Sequence, residues 1–118
     1  MRWSHWAYIP QLMADFEEEV LGTLTPCRTG DTPKVAKDIA VVHGELMAIH
    51  PFRDGNGRVG RLVAVLMGLQ AGVGVMGFDG TEKGRERYLA AVAAAFMQDY
   101  EPLTDVFAEA LASATEPA

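Results

Sequence analysis

The chain has 118 residues, of which 49% are hydrophobic and 22% are charged, and these values are typical of one soluble globular domain. Its formal net charge is −6, from 16 acidic and 10 basic residues, which argues against a nucleic-acid binder or a protein held on an anionic membrane, because both need a basic face. The single cysteine, Cys27, excludes an intramolecular disulfide framework and a multi-cysteine zinc site.

Neither a signal peptide nor a membrane span is predicted. The first ten residues lack the apolar core that follows a basic start in a signal peptide. The longest apolar stretch, residues 62–76, is interrupted by glycines and a glutamine and is too short for a spanning helix. We expect a soluble protein located in the cytoplasm, or delivered into a host cytoplasm if it acts as an effector.

The first half of the chain predicts two helices. Apolar residues recur at three- and four-residue steps over residues 9–20, the pattern of one helix face. Residues 22–31 contain glycine, proline and several threonines and predict a loop. The Thr-Pro pair at 32–33 predicts the start of a second helix. Pro51 predicts its end at about Ile49, because the residue before a proline avoids the helical conformation.

Three further helices are predicted in the second half. The third spans about residues 58–70 and is followed by an apolar, glycine-rich connection over residues 71–80. The fourth spans about residues 82–98, and the fifth begins at Pro102. With no repeat and no convincing strand pair, the pattern predicts an all-α fold.

We therefore predict one domain over residues 1–118, a compact helical bundle. Residues 8–112 form its helical core, and residues 113–118 form a small, polar tail that frays. Residues 1–7 are set apart, because Arg2–Trp6 could be a short extended segment.

The connection between the second and third predicted helices, residues 50–61, carries three of the ten basic residues. In its glycine-bearing turn, residues 55–57, successive N–H groups can point at one spot, and the following helix adds the free N–H groups of its first turn. Together they predict an anion site, most naturally for phosphate. Arg58 and Arg61 stand three residues apart on one helix face. The alternative is a helix start with two solvent-exposed arginines.

Two titratable residues of this segment are candidates for chemistry. Asp54 is a candidate magnesium ligand, since magnesium takes one or two carboxylates together with phosphate oxygens; alternatively, it caps the turn or pairs with an arginine. A calcium-binding EF-hand is excluded, because Val65 stands where the bidentate glutamate is needed. His50 is predicted to be a general base, because an imidazole can accept a proton from an attacking hydroxyl.

Three neighbours are predicted to support the loop. Pro51 stiffens its entry. Phe52 alternates with His50 and Asp54 and is therefore expected to turn inward and anchor the loop. His43 lies two helical turns before His50 on the same face. It either supports the catalytic histidine or is a buried histidine satisfied by a backbone carbonyl, and we favour the second interpretation.

This segment resembles the signature of the Fic (Fido) family, whose consensus is His-x-Phe-x-(Asp/Glu)-Gly-Asn-Gly-Arg-x-x-Arg. The chain agrees with it at every specified position, as His50-Pro51-Phe52-x-Asp54-Gly55-Asn56-Gly57-Arg58-x-x-Arg61. The resemblance extends over about residues 9–111, and it implies a Fic-type helical bundle in which the active-site loop joins two central helices.

The activity that the resemblance implies is adenylylation, the transfer of AMP from ATP to a Ser, Thr or Tyr hydroxyl of a target protein. His50 would deprotonate that hydroxyl, and Asp54 would hold Mg²⁺ on the α- and β-phosphates. The Doc branch of the family, which phosphorylates with ATP, replaces the Gly-Asn-Gly sequence by other residues. Adenylylation is therefore the preferred activity for this chain.

The resemblance also implies roles for the phosphate-binding residues. Gly55, Asn56 and Gly57 would cradle the α- and β-phosphates, with the Asn56 side chain on the α-phosphate. Arg58 and Arg61 would bind the β- and γ-phosphates.

Two features of the family are not found in this sequence. Its members usually carry a β-hairpin flap that docks the target, of which Arg2–Trp6 could be only the second half. Many also carry an inhibitory helix with the sequence (Ser/Thr)-x-x-x-Glu-(Gly/Asn), and the tail has the wrong spacing for it. An antitoxin-like partner in trans or an upstream segment of a longer chain would then supply that helix, or the protein is unregulated. Two other functions stay open, a catalytically silent module that binds a nucleotide or a partner, and removal of AMP from modified proteins.

Overall fold

A computed structural model describes residues 6–27 and 30–116 of the chain. The fold is all-α, as the helical periodicity predicts. A 3-10 turn at Trp6–Tyr8 precedes the helices, which are α1 (Ile9–Phe16), α2 (Gly22–Leu24), α3 (Thr32–Ile49), α4 (Asn56–Gln70), α5 (Glu82–Phe96) and α6 (Glu101–Ala112). In the part of the chain that the structure describes, every helix is too short or too polar to cross a lipid bilayer.

The centre of the bundle is α3, which packs against α1, α4, α5 and α6. From Val35 to Ile49 every residue except Lys37 is buried or half-buried, as expected for a helix with several neighbouring helices. Val35, Ile39 and Val42 are among its fully buried side chains. Because α3 ends at Ile49, this central helix delivers His50 and the motif to the edge of the core.

The motif helix, α4, packs mainly against α3 and presents small residues to it. Gly60 and Ala64 lie on the buried side of α4, while Leu62 and Leu66 on the other side are about half exposed. A Cβ at position 60 would lie 3.0 Å from Cε1 of His43. The absence of a side chain at Gly60 therefore lets the two helices approach closely.

The first helix is longer than predicted. A π-helical turn over Glu17–Leu21 joins α1 to α2, so residues 22–24 are helical and the loop predicted for them is wrong. The Thr23 hydroxyl contributes by donating to the carbonyl oxygens of Glu19 and Val20, both at 3.0 Å. In this position the threonine satisfies carbonyls at the helix end instead of breaking the helix.

The C-terminal tail is fastened to the connection between α4 and α5. Val75 and Thr115 form an antiparallel bridge with N···O distances of 2.8 and 2.9 Å. The prediction of fraying from residue 113 is therefore wrong up to Thr115. The prediction used the small, polar side chains of the tail, whereas backbone hydrogen bonds fix its position. Residues 117–118 lie outside the described residues, as does the predicted extended segment except Trp6, which is in the 3-10 turn.

A substitution at Gly44 can test how tightly the core helices pack. A Cβ at this position of α3 would lie 3.0 Å from both Ala95 Cβ and Tyr100 Cε1. We expect Gly44→Ala to lower the free energy of unfolding by about 1–3 kcal/mol through overpacking. Gly30→Ala is the control, because a Cβ there would meet none of the described residues within 4 Å. Urea unfolding followed by circular dichroism measures both, and equal stability of the two variants would contradict this packing.

Candidate active site

The loop begins with a sharp reversal at His50. Pro51 prevents α3 from continuing, as predicted, and His50 adopts a left-handed backbone conformation with φ 54° and ψ 58°. Its N–H still donates to Leu46 O at 3.1 Å, so the residue closes α3 as its C-cap. A left-handed conformation costs a non-glycine residue about 1–2 kcal/mol, and such conformations are concentrated at functional sites.

The side chain of Asn56 closes the loop. Its Oδ1 accepts from Phe52 N at 2.9 Å, and its Nδ2 donates to Phe52 O at 2.7 Å. Asn56 is 5% exposed, so this pair of hydrogen bonds is shielded from water. The resemblance implies that this side chain also reaches the α-phosphate. The hydrogen bonds to Phe52 use one lone pair of Oδ1 and one of the two N–H groups of Nδ2, so they are compatible with that role, which stays a prediction.

Phe52 does not anchor the loop through its ring. The residue is 46% exposed, which corrects the expectation that it turns inward. Its backbone carries the contacts instead, through the two hydrogen bonds to Asn56. Side chains alternate between two faces only along an extended backbone. This loop turns between Phe52 and Gly55, so the alternation did not predict the side on which the Phe52 ring lies.

The start of α4 is open to solvent. Gly55 precedes it with φ 84°, a conformation that favours glycine, and no side chain caps the helix. A Cβ at Gly57 would meet nothing within 4 Å, so packing within the described residues does not require glycine there. A glycine at this position keeps the first N–H groups of the helix accessible to an anion.

Two charged side chains flank this helix start and are nearly fully accessible. The side chain of Asp54 is 95% exposed and that of Arg58 is 82% exposed, and their charged groups lie 4.0 Å apart. Asp54 Oδ1 also accepts from Gly55 N at 2.9 Å, so the capping alternative holds for one oxygen. An exposed pair at this distance contributes little to stability and leaves both groups available to a ligand.

His43 is buried beneath the motif helix, with 2% of the residue exposed. Its Nδ1 lies 3.1 Å from Gly60 O, and its Nε2 lies 2.5 Å from the hydroxyl of Tyr88. The carbonyl-bound interpretation is therefore confirmed. The pKa of His43 is lowered from 6.5 to about 4, mainly by burial and to a smaller extent by the positive charge of Arg61, against the raising effect of the Gly60 hydrogen bond. The ring is therefore neutral at pH 7.

Arg61 borders a cavity. Its guanidinium carbon lies 4.9 Å from the centroid of the Phe78 ring, a distance at which a cation is attracted to an aromatic face. A cavity of about 740 Å³ adjoins it, between α4, α5 and α6. His43 and Arg61 are the two predicted site residues that line this cavity, whereas His50 and Asp54 are not among the described residues around it.

The sequence reasoning missed the residues that the C-terminal half brings to Arg61. Phe78, Arg85, Arg87 and Tyr88 line the cavity. Arg87 forms an ion pair with Glu109 of α6. The available signal was the Arg-x-Arg-Tyr sequence in the second turn of α5, which places two cations and an aromatic ring near Arg61.

A magnesium ion would have to share phosphate oxygens at this site. Among the described residues, no group of three or more His, Cys, Asp and Glu side chains lies close enough together to bind a metal ion. Asp54 is a single accessible carboxylate beside the helix start. This donor set suits Mg²⁺, which commonly binds one carboxylate, phosphate oxygens and water.

Comparison with protein-family models identifies the class of protein. The model of the Fic/DOC family matches residues 2–67, which include the whole of the motif over residues 50–61. The chain therefore belongs to the Fic/DOC family. Domains of this family generally transfer AMP or another nucleotide-derived group to proteins. Separate comparisons with curated proteins and with solved structures found no match.

The hydrogen bonds of Asn56 yield a first prediction for the site. We expect Asn56→Ala to lower the free energy of unfolding by about 2 kcal/mol, because two part-buried hydrogen bonds to the backbone of Phe52 are lost. Gln11→Ala removes a solvent-exposed hydrogen bond to Asp15 and serves as the control, with a change below about 0.5 kcal/mol. Thermal and urea unfolding measure both. If Asn56→Ala unfolds like the wild type, the side chain does not hold the loop.

The burial of His43 yields a pH-dependent prediction. Between pH 6.5 and 4 the unfolded state binds a proton at this histidine while the folded state does not, so stability falls as the pH is lowered through this range. The loss amounts to about 3 kcal/mol from a shift of this size. His43→Gln removes the titrating group, and its stability is therefore expected to vary less between pH 7 and pH 4. Parallel pH profiles of the two proteins, from urea unfolding, would contradict a neutral buried His43.

Proposed function

We propose that this protein is an adenylyltransferase that transfers AMP from ATP to a Ser, Thr or Tyr hydroxyl of a target protein. The observation that carries the proposal is the accessible start of α4, which directly follows left-handed Gly55 without a side-chain cap. An accessible helix start binds anions through free N–H groups and the positive end of the helix dipole. Membership of the Fic/DOC family supports a nucleotide as the anion.

His50 is proposed as the general base. It accepts the proton of the target hydroxyl while the hydroxyl oxygen attacks the α-phosphorus of ATP. The bond from the α-phosphorus to the bridging oxygen breaks, pyrophosphate leaves, and the proton passes from His50 to solvent. The position of His50 at the C-cap of α3, immediately before the loop, supports this role.

The phosphates are proposed to bind along the loop and the first turns of α4. Gly55, Asn56 and Gly57 cradle the α- and β-phosphates through backbone N–H groups, and the Asn56 side chain adds its second amide N–H to the α-phosphate. Arg58 and Arg61 bind the β- and γ-phosphates, which offsets the charge that develops on the leaving pyrophosphate. The exposure of Arg58 and of the loop supports this arrangement.

Magnesium is proposed to bind Asp54 together with the α- and β-phosphates. When bound, it would neutralise phosphate charge and hold the polyphosphate in one conformation. The carboxylate of Asp54 is accessible and only 4.0 Å from Arg58. A cation bound between them would also offset the repulsion between the Asp54 carboxylate and the negatively charged phosphates.

A partner protein is proposed as the regulator. In the described part of the chain, no carboxylate forms an ion pair with Arg61. An antitoxin-like helix with the sequence (Ser/Thr)-x-x-x-Glu-(Gly/Asn), bound in trans, would place a carboxylate there and displace the γ-phosphate. Charge-assisted pairs of this kind contribute about 1.5–3 kcal/mol.

Two variants separate binding from transfer. Arg58→Ala combined with Arg61→Ala is expected to weaken the binding of Mg²⁺–ATP by at least tenfold, since each lost charge-assisted contact is worth more than 1 kcal/mol. His50→Ala is expected to bind ATP like the wild type and to transfer no AMP. Calorimetry measures binding, and α-³²P-ATP incubated with a cell lysate measures transfer.

The possible outcomes distinguish the proposed functions. ATP binding without transfer by the wild type would identify a silent nucleotide-binding module. Transfer of label from γ-³²P-ATP rather than α-³²P-ATP would identify a kinase. Unchanged ATP affinity in the double arginine variant would place the phosphates elsewhere. Transfer by His50→Ala at the wild-type rate would remove His50 as the base.

A further inference from the structure

Arg61 is held at both its backbone and its side chain. The residue before it, Gly60, accepts a hydrogen bond from the His43 ring at 3.1 Å. Its own guanidinium lies over the ring of Phe78. Arg58, three residues earlier on the same helix, is by contrast 82% exposed and contacts Asp54 only at 4.0 Å. The two motif arginines therefore differ in how firmly their positions are set.

The hydrogen bonds of His43 fix the form of its ring. A carbonyl oxygen can only accept a hydrogen bond, so Nδ1 carries the hydrogen and donates it to Gly60 O. In the neutral ring Nε2 then has a lone pair, and the Tyr88 hydroxyl donates to it at 2.5 Å. This arrangement joins three helices, because His43 belongs to α3, Gly60 to α4 and Tyr88 to α5.

The aromatic rings near Arg61 also contact one another. The His43 ring meets the ring of Phe107 edge to face, with centroids 5.2 Å apart. Phe107 meets Phe78 in the same way at 6.3 Å, and Phe78 lies under Arg61. We call His43, Phe78, Tyr88 and Phe107 the aromatic cluster. All four residues line the cavity beside Arg61.

We propose that the hydrogen-bonded pair of His43 and Tyr88 positions Arg61 for the nucleotide phosphates. The Tyr88 hydroxyl fixes the His43 ring, the ring fixes the Gly60 carbonyl, and the Gly60–Arg61 peptide sets the direction from which Arg61 reaches the ligand. Tyr88 acts through Arg61 and is a positioning residue. Its effect on substrate rests on the proposed function, whereas its effect on the geometry of Arg61 does not.

The chain offers a matched control for the Tyr88 hydroxyl. Tyr100, at the start of α6, also donates its hydroxyl to a side chain of α3, the carboxylate of Glu45. Burial and this hydrogen bond raise the pKa of Tyr100, as burial raises that of Tyr88. Tyr100 lies outside the cavity and the motif among the described residues. A general loss of stability from a missing tyrosine hydroxyl should therefore appear in both positions.

The first test compares Tyr88→Phe with Tyr100→Phe by calorimetric titration of Mg²⁺–ATP. We expect Tyr88→Phe to bind ATP about fivefold to tenfold more weakly, the effect of one hydrogen bond, and Tyr100→Phe to bind like the wild type. Urea unfolding establishes that both variants fold. Equal ATP affinity of Tyr88→Phe and the wild type, or an equal loss in both variants, would overturn the proposal.

The second test asks whether Tyr88 acts through Arg61. Arg61→Lys keeps the positive charge but loses the planar, bidentate contact. If Tyr88 only positions Arg61, adding Tyr88→Phe to Arg61→Lys should change ATP affinity less than twofold. A full fivefold to tenfold loss in that background would mean that Tyr88 contacts the nucleotide itself, and the positioning role would be wrong.

The third test needs no ligand and separates this proposal from the proposed function. Long-range ¹H–¹⁵N NMR spectra of the imidazoles should identify His43 as the Nδ1–H tautomer. Tyr88→Phe should shift its Nε2 resonance and the backbone amide of Arg61, while Tyr100→Phe should leave both unchanged. These shifts with no ATP binding by the wild type would reject the nucleotide function alone. An unshifted Arg61 amide in Tyr88→Phe would reject the positioning of Arg61 even if the wild type transfers AMP.

Discussion

The contact between the His43 ring and Gly60 is the constraint on which the site depends. It sets the separation of α3 and α4, the two helices that the motif loop connects, because a Cβ at position 60 would lie 3.0 Å from the ring. Its hydrogen bond, with an N···O distance of 3.1 Å, also gives the buried ring a partner that it could not find in an apolar core. A loop anchored at both ends by this pair of helices keeps His50 and the start of α4 adjacent.

Asn56 binds the backbone of the loop, whereas other parts of the loop are exposed to solvent. Its amide pairs with the N–H and C=O of Phe52, so these part-buried backbone groups need no water. Asp54, Gly57 and Arg58 are among the exposed residues of the loop and the helix start. Residues 50–61 carry three arginines and one aspartate in a chain whose formal net charge is −6, so this segment concentrates positive potential where an anion can approach.

The C-terminal helices complete the site from the other side. The cavity beside Arg61 lies between α4, α5 and α6, and the bridge of Val75 to Thr115 secures the connection that carries Phe78. Arg61 thereby belongs both to the motif and to the cavity. A ligand held by the motif has room of about 740 Å³ next to that arginine, and the rings that line this room are the same ones that hold Arg61.

The sequence by itself determined the helices and the motif, because both are local. The helical periodicity over residues 32–49, together with Pro51, was sufficient to predict α3 and its end at Ile49. The glycine-bearing turn, Asp54 and the two motif arginines are close in sequence, so the motif could be recognised without the fold. Only the tertiary structure decided that the Asn56 side chain binds Phe52, that the Phe52 ring is exposed and that Thr115 is paired. Likewise, His43 meets partners 17 and 45 positions away. The side chain of a histidine or an asparagine can bind any of several donors and acceptors. The packing of the helices decides which of these groups come within hydrogen-bonding distance.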